Sequence, residues 1–167
     1  MKNHPFGTIA EAFSHTAEKY DAFAQDHPNQ TRMRNKVYSR VQRFIPAGSR
    51  ILELNAGTGI DAVELARRGY QVHATDIAQG MLERLEDKVT QSGLKEKITI
   101  QQCSFTEVKK IQGAQFDAVF SDLGGLNCIP DLAPVIAQLP PVLRPHGLVT
   151  WVLMPPGRRQ PEGQGHG

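Results

Sequence analysis

A chain of 167 residues and 18.5 kDa, 40% hydrophobic and 22% charged, has the length and composition of one soluble globular domain, which excludes fibrous, disordered and two-core architectures. Nineteen basic against 17 acidic side chains give a net charge of +2, too balanced by itself for a protein that lives on nucleic acid or anionic lipid. The opening segment has no uninterrupted apolar stretch, so neither a secretion signal nor a membrane span is expected and the cytoplasm is the expected compartment. Two cysteines, Cys103 and Cys128, are too few for a disulfide framework, and the six histidines show no metal-ligand spacing, so no metal is expected.

The first readable element is a helix from about Thr8 to Asp26, on which Phe6, Ile9, Phe13, Ala17 and Tyr20 recur at spacings of three and four; His27-Pro28-Asn29 ends it. Met33, Val37, Val41 and Phe44 form the apolar stripe of a second helix. Arg32, Arg34, Lys36, Arg40 and Arg43 occupy its remaining faces with no acid among them, and Pro46-Ala47-Gly48 closes it. That basic run reads as a solvated face, with docking on an anionic membrane as the other reading.

From Arg50 onward short apolar runs alternate with helical patterns. Strands are expected at 51–54, 71–75, 98–102, 116–121 and 147–154. Between them lie a helix from Asp61 to Arg68 stopped by Gly69, and a helix carrying Met81, Leu82, Leu85 and Val89 that Ser92-Gly93 ends. A third, capped by Asp131, carries Leu132, Val135, Ile136 and Leu139 until Pro140-Pro141 breaks it. Strand and helix in alternation predict an α/β fold, a Rossmann-like doubly wound, mostly parallel sheet with its ligand at the carboxyl ends of the strands.

The turn after the first strand is Glu53-Leu-Asn55-Ala-Gly57-Thr-Gly59, leading straight into a helix. Glycines let such a turn bend sharply and approach a ligand, and asparagine tolerates the left-handed conformation well. Alone, this loop is a weak signal that also reads as a tight strand-to-helix connection. Asp76, 17 residues past Gly59, ends the second strand, where an acid can accept hydrogen bonds from both hydroxyls of a ribose; it also reads as the N-cap of the next helix. A dinucleotide loop needs GxGxxG, whose third glycine is absent here. Asp61 instead puts negative charge in the first helical turn, which repels phosphate but not a phosphate-free ligand with a cationic centre. A nucleoside cofactor is therefore expected, with an NAD-binding oxidoreductase as the alternative.

The run ILELNAGTGIDAVELARRGYQVHATDIAQGMLERL, followed by ITIQQCSFTEV, FDAVFSDLGGLNCIPDL and LRPHGLVTWVLM, resembles the ordered motifs of class I S-adenosylmethionine-dependent methyltransferases of the small-molecule type, over roughly residues 8 to 154. The resemblance implies a Rossmann-like domain over 48–154 under an N-terminal helical lid at 1–47, S-adenosylmethionine as cofactor and a small-molecule methyl acceptor, with no nucleic acid partner. It places Glu53, Asn55, Gly57 and Gly59 under the methionyl part of the cofactor, Asp76 on the ribose diol and Ile77 against the adenine. Ser104 and Phe105 match the adenine-edge position, Asp122 lies near the methyl group, and Tyr20 belongs to the Tyr20-Asp21 pair that precedes the pocket. Arg34 is a candidate for the cofactor carboxylate. The catalytic residues stay unassigned, and Cys128, on the acceptor side, is expected to be a buried small residue rather than a nucleophile.

The sheet of that family has seven strands, the last two an antiparallel pair, whereas five are readable here. The last 13 residues, PPGRRQPEGQGHG, contain no hydrophobic side chain and seven Gly or Pro. A disordered tail at 155–167 is therefore expected, in a chain truncated relative to the family and open to self-association along its last strand. A cofactor-binding remnant without turnover is the corresponding alternative reading.

Overall fold

The computed structural model describes residues 28–113, 115–122 and 124–154. The expected helix over 8–26, Tyr20 and the 155–167 segment lie outside the described residues. In chain order the elements are α1 (Pro28–Phe44), β1 (Arg50–Leu54), α2 (Ile60–Arg67), β2 (Gln71–Asp76), α3 (Gln79–Gln91) and β3 (Ile98–Gln102). A 3-10 segment (Phe105–Lys110) leads to β4 (Phe116–Ser121), a second one (Gly125–Cys128) to the four-residue α4 (Ala133–Ile136), and the chain then enters β5 (Leu143–Trp151). All strand pairs are parallel, in the order β3-β2-β1-β4-β5. The order reverses between β1 and β4, which is where a ligand crevice forms in an open parallel sheet.

Each strand sits where its alternating or continuous apolar run predicts. β1 is central, and Ile51, Leu52 and Leu54 are fully buried against opposite faces of the sheet. Removing such a side chain from water is worth roughly 1.5–3 kcal/mol. On one face α1, α2 and α3 contribute Tyr38, Val41, Leu65, Leu82, Leu85 and Val89 to a core. On the other, the 3-10 segments and α4 supply Phe105, Val108, Leu126 and Val135. The four apolar positions expected of α3 are all buried, and Gly69 and Gly93, at φ 99° and 66°, end their helices in the left-handed conformation.

Three elements depart from expectation. In α1 the buried positions are Arg34, Tyr38 and Val41, continued by Ile45, while Met33 and Phe44 are 37% and 58% exposed. The helix is thus rotated by roughly 75° from the purely apolar stripe, at 3.6 residues per turn. A buried partner for Arg34 and Tyr38, described below, outweighs the hydrophobic gain from the other face. β5 begins at Leu143 and ends at Trp151, earlier at both ends than expected, because Phe116 pairs with Leu143 before the register jumps to Ala118 with Leu148. The excursion between those pairs is a bulge in which His146 takes φ 65°. In α4, Asp131 does accept a hydrogen bond from Ala133 N (2.9 Å), and Val135 and Leu139 are buried, but Ile136 is exposed and the helix is a single turn.

Candidate ligand site at the carboxyl ends of the strands

After Leu54 the chain turns through Asn55, Ala56, Gly57 and Thr58 into α2, with Asn55, Gly57 and Gly59 at φ 58°, 56° and 81°. The two glycines serve different needs. A Cβ on Gly57 would meet nothing within 4 Å, so its backbone faces open space, whereas one on Gly59 would stand 2.0 Å from Leu85 Cδ1. Asn55 occupies a left-handed position without being glycine, and its side chain packs against Gly125 so closely that a Cβ there would lie 2.8 Å from it. The loops after β1 and β4 therefore touch across the crevice.

Asp76 ties the first loop to β2. Its Oδ2 accepts a hydrogen bond from Gly57 N and its Oδ1 one from Ala78 N, both at 2.9 Å, while Ala56 N donates to Thr75 O at 2.9 Å. Asp76 is thus not the cap of α3, whose N-cap is Ala78; it makes a local turn one step earlier. Burial raises its pKa, against the backbone N–H groups of Ala78, Gly57 and Ile77 that lower it. Each carboxylate oxygen retains acceptor capacity beyond the single bond described. Next to it, Ile77 O accepts from Gln102 Nε2 at 3.0 Å. After β3, Ser104 Oγ accepts from Thr106 N (3.2 Å) and caps the 3-10 segment, and Phe105 is buried in the second core. Asp122 follows the last residue of β4. Glu53, Asn55, Gly57, Gly59, Asp76, Ile77, Ser104, Phe105 and Asp122 accordingly gather at the carboxyl ends of β1 to β4.

The site gathers buried carboxyl groups. Glu53 is 2% exposed, and its Oε2 has no hydrogen-bond partner among the described residues. Burial, followed by the charges of Asp61, Asp122 and Asp76, raises its pKa well above the usual carboxylate range, with Arg34 opposing. Asp61 in turn is held by α1: Tyr38 Oη donates to Asp61 Oδ1, and Arg34 Nε lies 3.2 Å from the same oxygen. Burial still raises Asp61 despite these partners. The acid in the first turn of α2 is therefore a paired, buried group rather than a bare charge. Arg34, the candidate for a cofactor carboxylate, is committed to it.

This arrangement sets the pH dependence of folding. Glu53, Asp61 and Asp76 all have folded pKa values above their unfolded ones, so in the window from the ordinary carboxylate range upward the folded chain holds protons that the unfolded chain has released. Stability then falls as pH rises through that window. The urea midpoint is expected to be higher at pH 5 than at pH 8, and Glu53→Gln should raise the pH 8 midpoint and flatten the difference. An unchanged pH profile in the variant would remove Glu53 from this role.

Cys128, in the 3-10 segment after β4, is exposed rather than buried as expected; partial desolvation of its thiol and the charge of Asp76 push the thiol upward, which disfavours a thiolate nucleophile. Sequence reasoning also missed Asn127, which clasps the segment just after β5 through Asn127 Nδ2 to Met154 O (2.8 Å) and Met154 N to Asn127 Oδ1 (2.9 Å). It missed Tyr38 too. Arg34, Tyr38, Val41 and Ile45 share a helical stripe as regular as the apolar one, and a polar pair on such a stripe opposite an acid was the available signal. Among the described residues no cluster of His, Cys, Asp or Glu is placed to hold a metal ion, and no helix is long and apolar enough to cross a membrane.

Residues 51–147, more than half of the chain, match the family described as "Methyltransferase domain". Among relatives, the Biotin biosynthesis bifunctional protein BioHC of Saccharophagus degradans is 27% identical over 140 residues, 83% of this chain and 23% of its own length. The Ubiquinone biosynthesis O-methyltransferase of Xanthomonas axonopodis pv. citri is 30% identical over 105 residues, 63% of this chain and 43% of its own. The chain thus spans less than half the length of either relative. Among solved structures, the DhpI-SAM-HEP complex superposes with a TM-score of 0.71 at 22% identity, covering 95% of this chain and 70% of that one. A parallel 3-2-1-4-5 sheet whose first loop, second-strand acid and fourth-strand turn meet in one crevice, together with the family match, means that this chain belongs to the class I S-adenosylmethionine-dependent methyltransferases.

Proposed function

We propose that this chain binds S-adenosylmethionine in the crevice over β1, β2 and β4 and transfers its methyl group to a small-molecule acceptor. The observation that carries this reading is the cluster of buried carboxyl groups beside the glycine loop: Glu53, Asp61 and Asp76 are 2%, 8% and 9% exposed, and Glu53 Oε2 has no hydrogen-bond partner among the described residues. Such a site repels the pyrophosphate of a dinucleotide and favours a phosphate-free ligand that brings an ammonium and a sulfonium. The donor set fits that ligand: spare acceptor capacity on Asp76 for a ribose diol, the unpartnered Oε2 of Glu53, and open space over Gly57. Glu53, Asn55, Gly57, Gly59 and Asp122 would face its methionyl end, and Ile77, Ser104 and Phe105 its base. The relative named for ubiquinone biosynthesis supports an acceptor of small-molecule class.

Bound S-adenosylmethionine supplies a methyl group on an already activated sulfonium leaving group. What this chain's residues then contribute is alignment and exclusion of water, and alignment is worth on the order of 7–11 kcal/mol in favourable cases. A proton acceptor is needed only where the acceptor atom must lose a proton.

Titration calorimetry with S-adenosylmethionine and, separately, with NAD tests the reading; binding of NAD in preference would overturn it. Asp76→Ala is expected to weaken S-adenosylmethionine at least tenfold, about 1.4 kcal/mol or more, since hydrogen bonds to a charged acceptor are worth about 1.5–3 kcal/mol. Unchanged affinity would remove Asp76 from the ribose. Binding without methyl transfer to any of a broad panel of small hydroxyl, amine and thiol acceptors would sink the transfer half of the proposal.

A further inference from the structure

The face of α1 that points away from the core is a continuous basic stripe. At 3.6 residues per turn, Arg32, Lys36, Arg40 and Arg43 fall within an arc of about 80°, opposite the buried Arg34, Tyr38, Val41 and Ile45. All four are exposed, and the helix contains no acid. Arg32, Lys36 and Arg40 make no ion pair among the described residues, and Arg43 stacks over the Phe44 ring at 5.4 Å. The stripe extends over about 16 Å at 1.5 Å per residue. Immediately beside it, on one side, lie Met33 and Phe44, the two large apolar side chains that this helix leaves exposed. On the other side an open depression of about 530 Å³ is lined by Thr31, Arg32, Asn35, Lys36 and Ser39, a set of hydrogen-bond donors as well as charge.

Packing among the described residues does not explain this combination. A merely solvated face has no use for an exposed Phe and Met, and helices usually interleave charges of both signs along such a face. Cations in a row with no ion pair among the described residues, next to apolar groups, fit a planar anionic surface into whose boundary the apolar groups insert. A nucleic acid is the weaker match, because a net charge of +2 over the whole chain gives little long-range attraction beyond this one face.

We propose that the outer face of α1 is a docking surface for anionic phospholipid bilayers, with Arg32, Lys36, Arg40 and Arg43 meeting headgroups and Met33 and Phe44 entering the interface. This surface lies on the opposite side of α1 from Asp61 and stands independently of the methyl-transfer reading.

The test is sedimentation of the 167-residue chain with vesicles of phosphatidylcholine alone or with one third phosphatidylglycerol. Partition onto the anionic vesicles is expected to be at least tenfold greater and to fall steeply as salt is raised from low to high ionic strength. Replacing all four basic residues with glutamine should remove the difference, and Met33→Ser with Phe44→Ser should reduce binding severalfold at every salt concentration. Circular dichroism checks that the variants fold; should the fourfold variant not fold, Arg32→Gln with Lys36→Gln must still lower anionic partition. Equal partition onto neutral vesicles, binding indifferent to these substitutions, or capture by a single-stranded RNA oligomer without vesicle binding would overturn the proposal.

Discussion

Arg34→Ala is expected to lower the unfolding free energy by about 3–5 kcal/mol, because breaking a buried ion pair from one side leaves the other charge buried and uncompensated. Arg34 and Asp61 are 6% and 8% exposed and lie 3.2 Å apart. Without the guanidinium, Asp61 keeps only the Tyr38 hydroxyl and adds its field to that already acting on Glu53. Urea unfolding followed by circular dichroism measures the loss. In the double variant Arg34→Met with Asp61→Leu, no charge is left stranded, and at least half of the lost stability should return. If the two substitutions add independently, the pair is not what holds α1 to α2.

Gly59→Ala is expected to cost about 3 kcal/mol, seen as a drop in Tm of roughly 6–12 °C for a domain of this size. A left-handed alanine alone carries about 1–2 kcal/mol. The rest comes from contact, since the new Cβ would stand 2.0 Å from Leu85 Cδ1 and 3.0 Å from its Cγ, on a side chain that is fully buried. Relief of the clash by Leu85→Ala in the same chain should not restore Gly59→Ala to the parent stability, because the φ of 81° remains. Gly57→Ala makes the useful contrast: its φ of 56° brings the same backbone strain, but no atom lies within 4 Å, so a smaller loss is expected.

Much of the sheet was legible in the sequence because its signals are local. β3 and β4 have the expected bounds, and β1 and β2 differ by one residue, since each is a short apolar run punctuated by glycine or by the start of a helical period. The loop-strand-loop spacing from Glu53 to Asp76 puts the glycine loop and Asp76 together at the carboxyl ends of β1 and β2 for the same reason. What could not be read depends on partners distant in sequence. The face that α1 buries is chosen by Asp61, 23 residues beyond Tyr38, and hydrophobicity alone selects the wrong stripe. The early start of β5 depends on Phe116 meeting Leu143. The Asp131 turn, one residue before the N-cap Leu132, was visible, but the shortening of α4 to a single turn was not.

The lone carboxyl of Glu53 has a consequence at the scale of the cell. A cationic ligand that settles beside it binds the folded chain alone and removes the burial penalty as it does so, and at a hundred times its Kd such a ligand adds about 2.7 kcal/mol to folding. Where proteases continuously clear unfolded chains, a change of that size alters steady-state abundance several-fold. If the proposed ligand binds there, the amount of this protein is set partly by the availability of that ligand, and starvation for it would lower protein level and occupancy together.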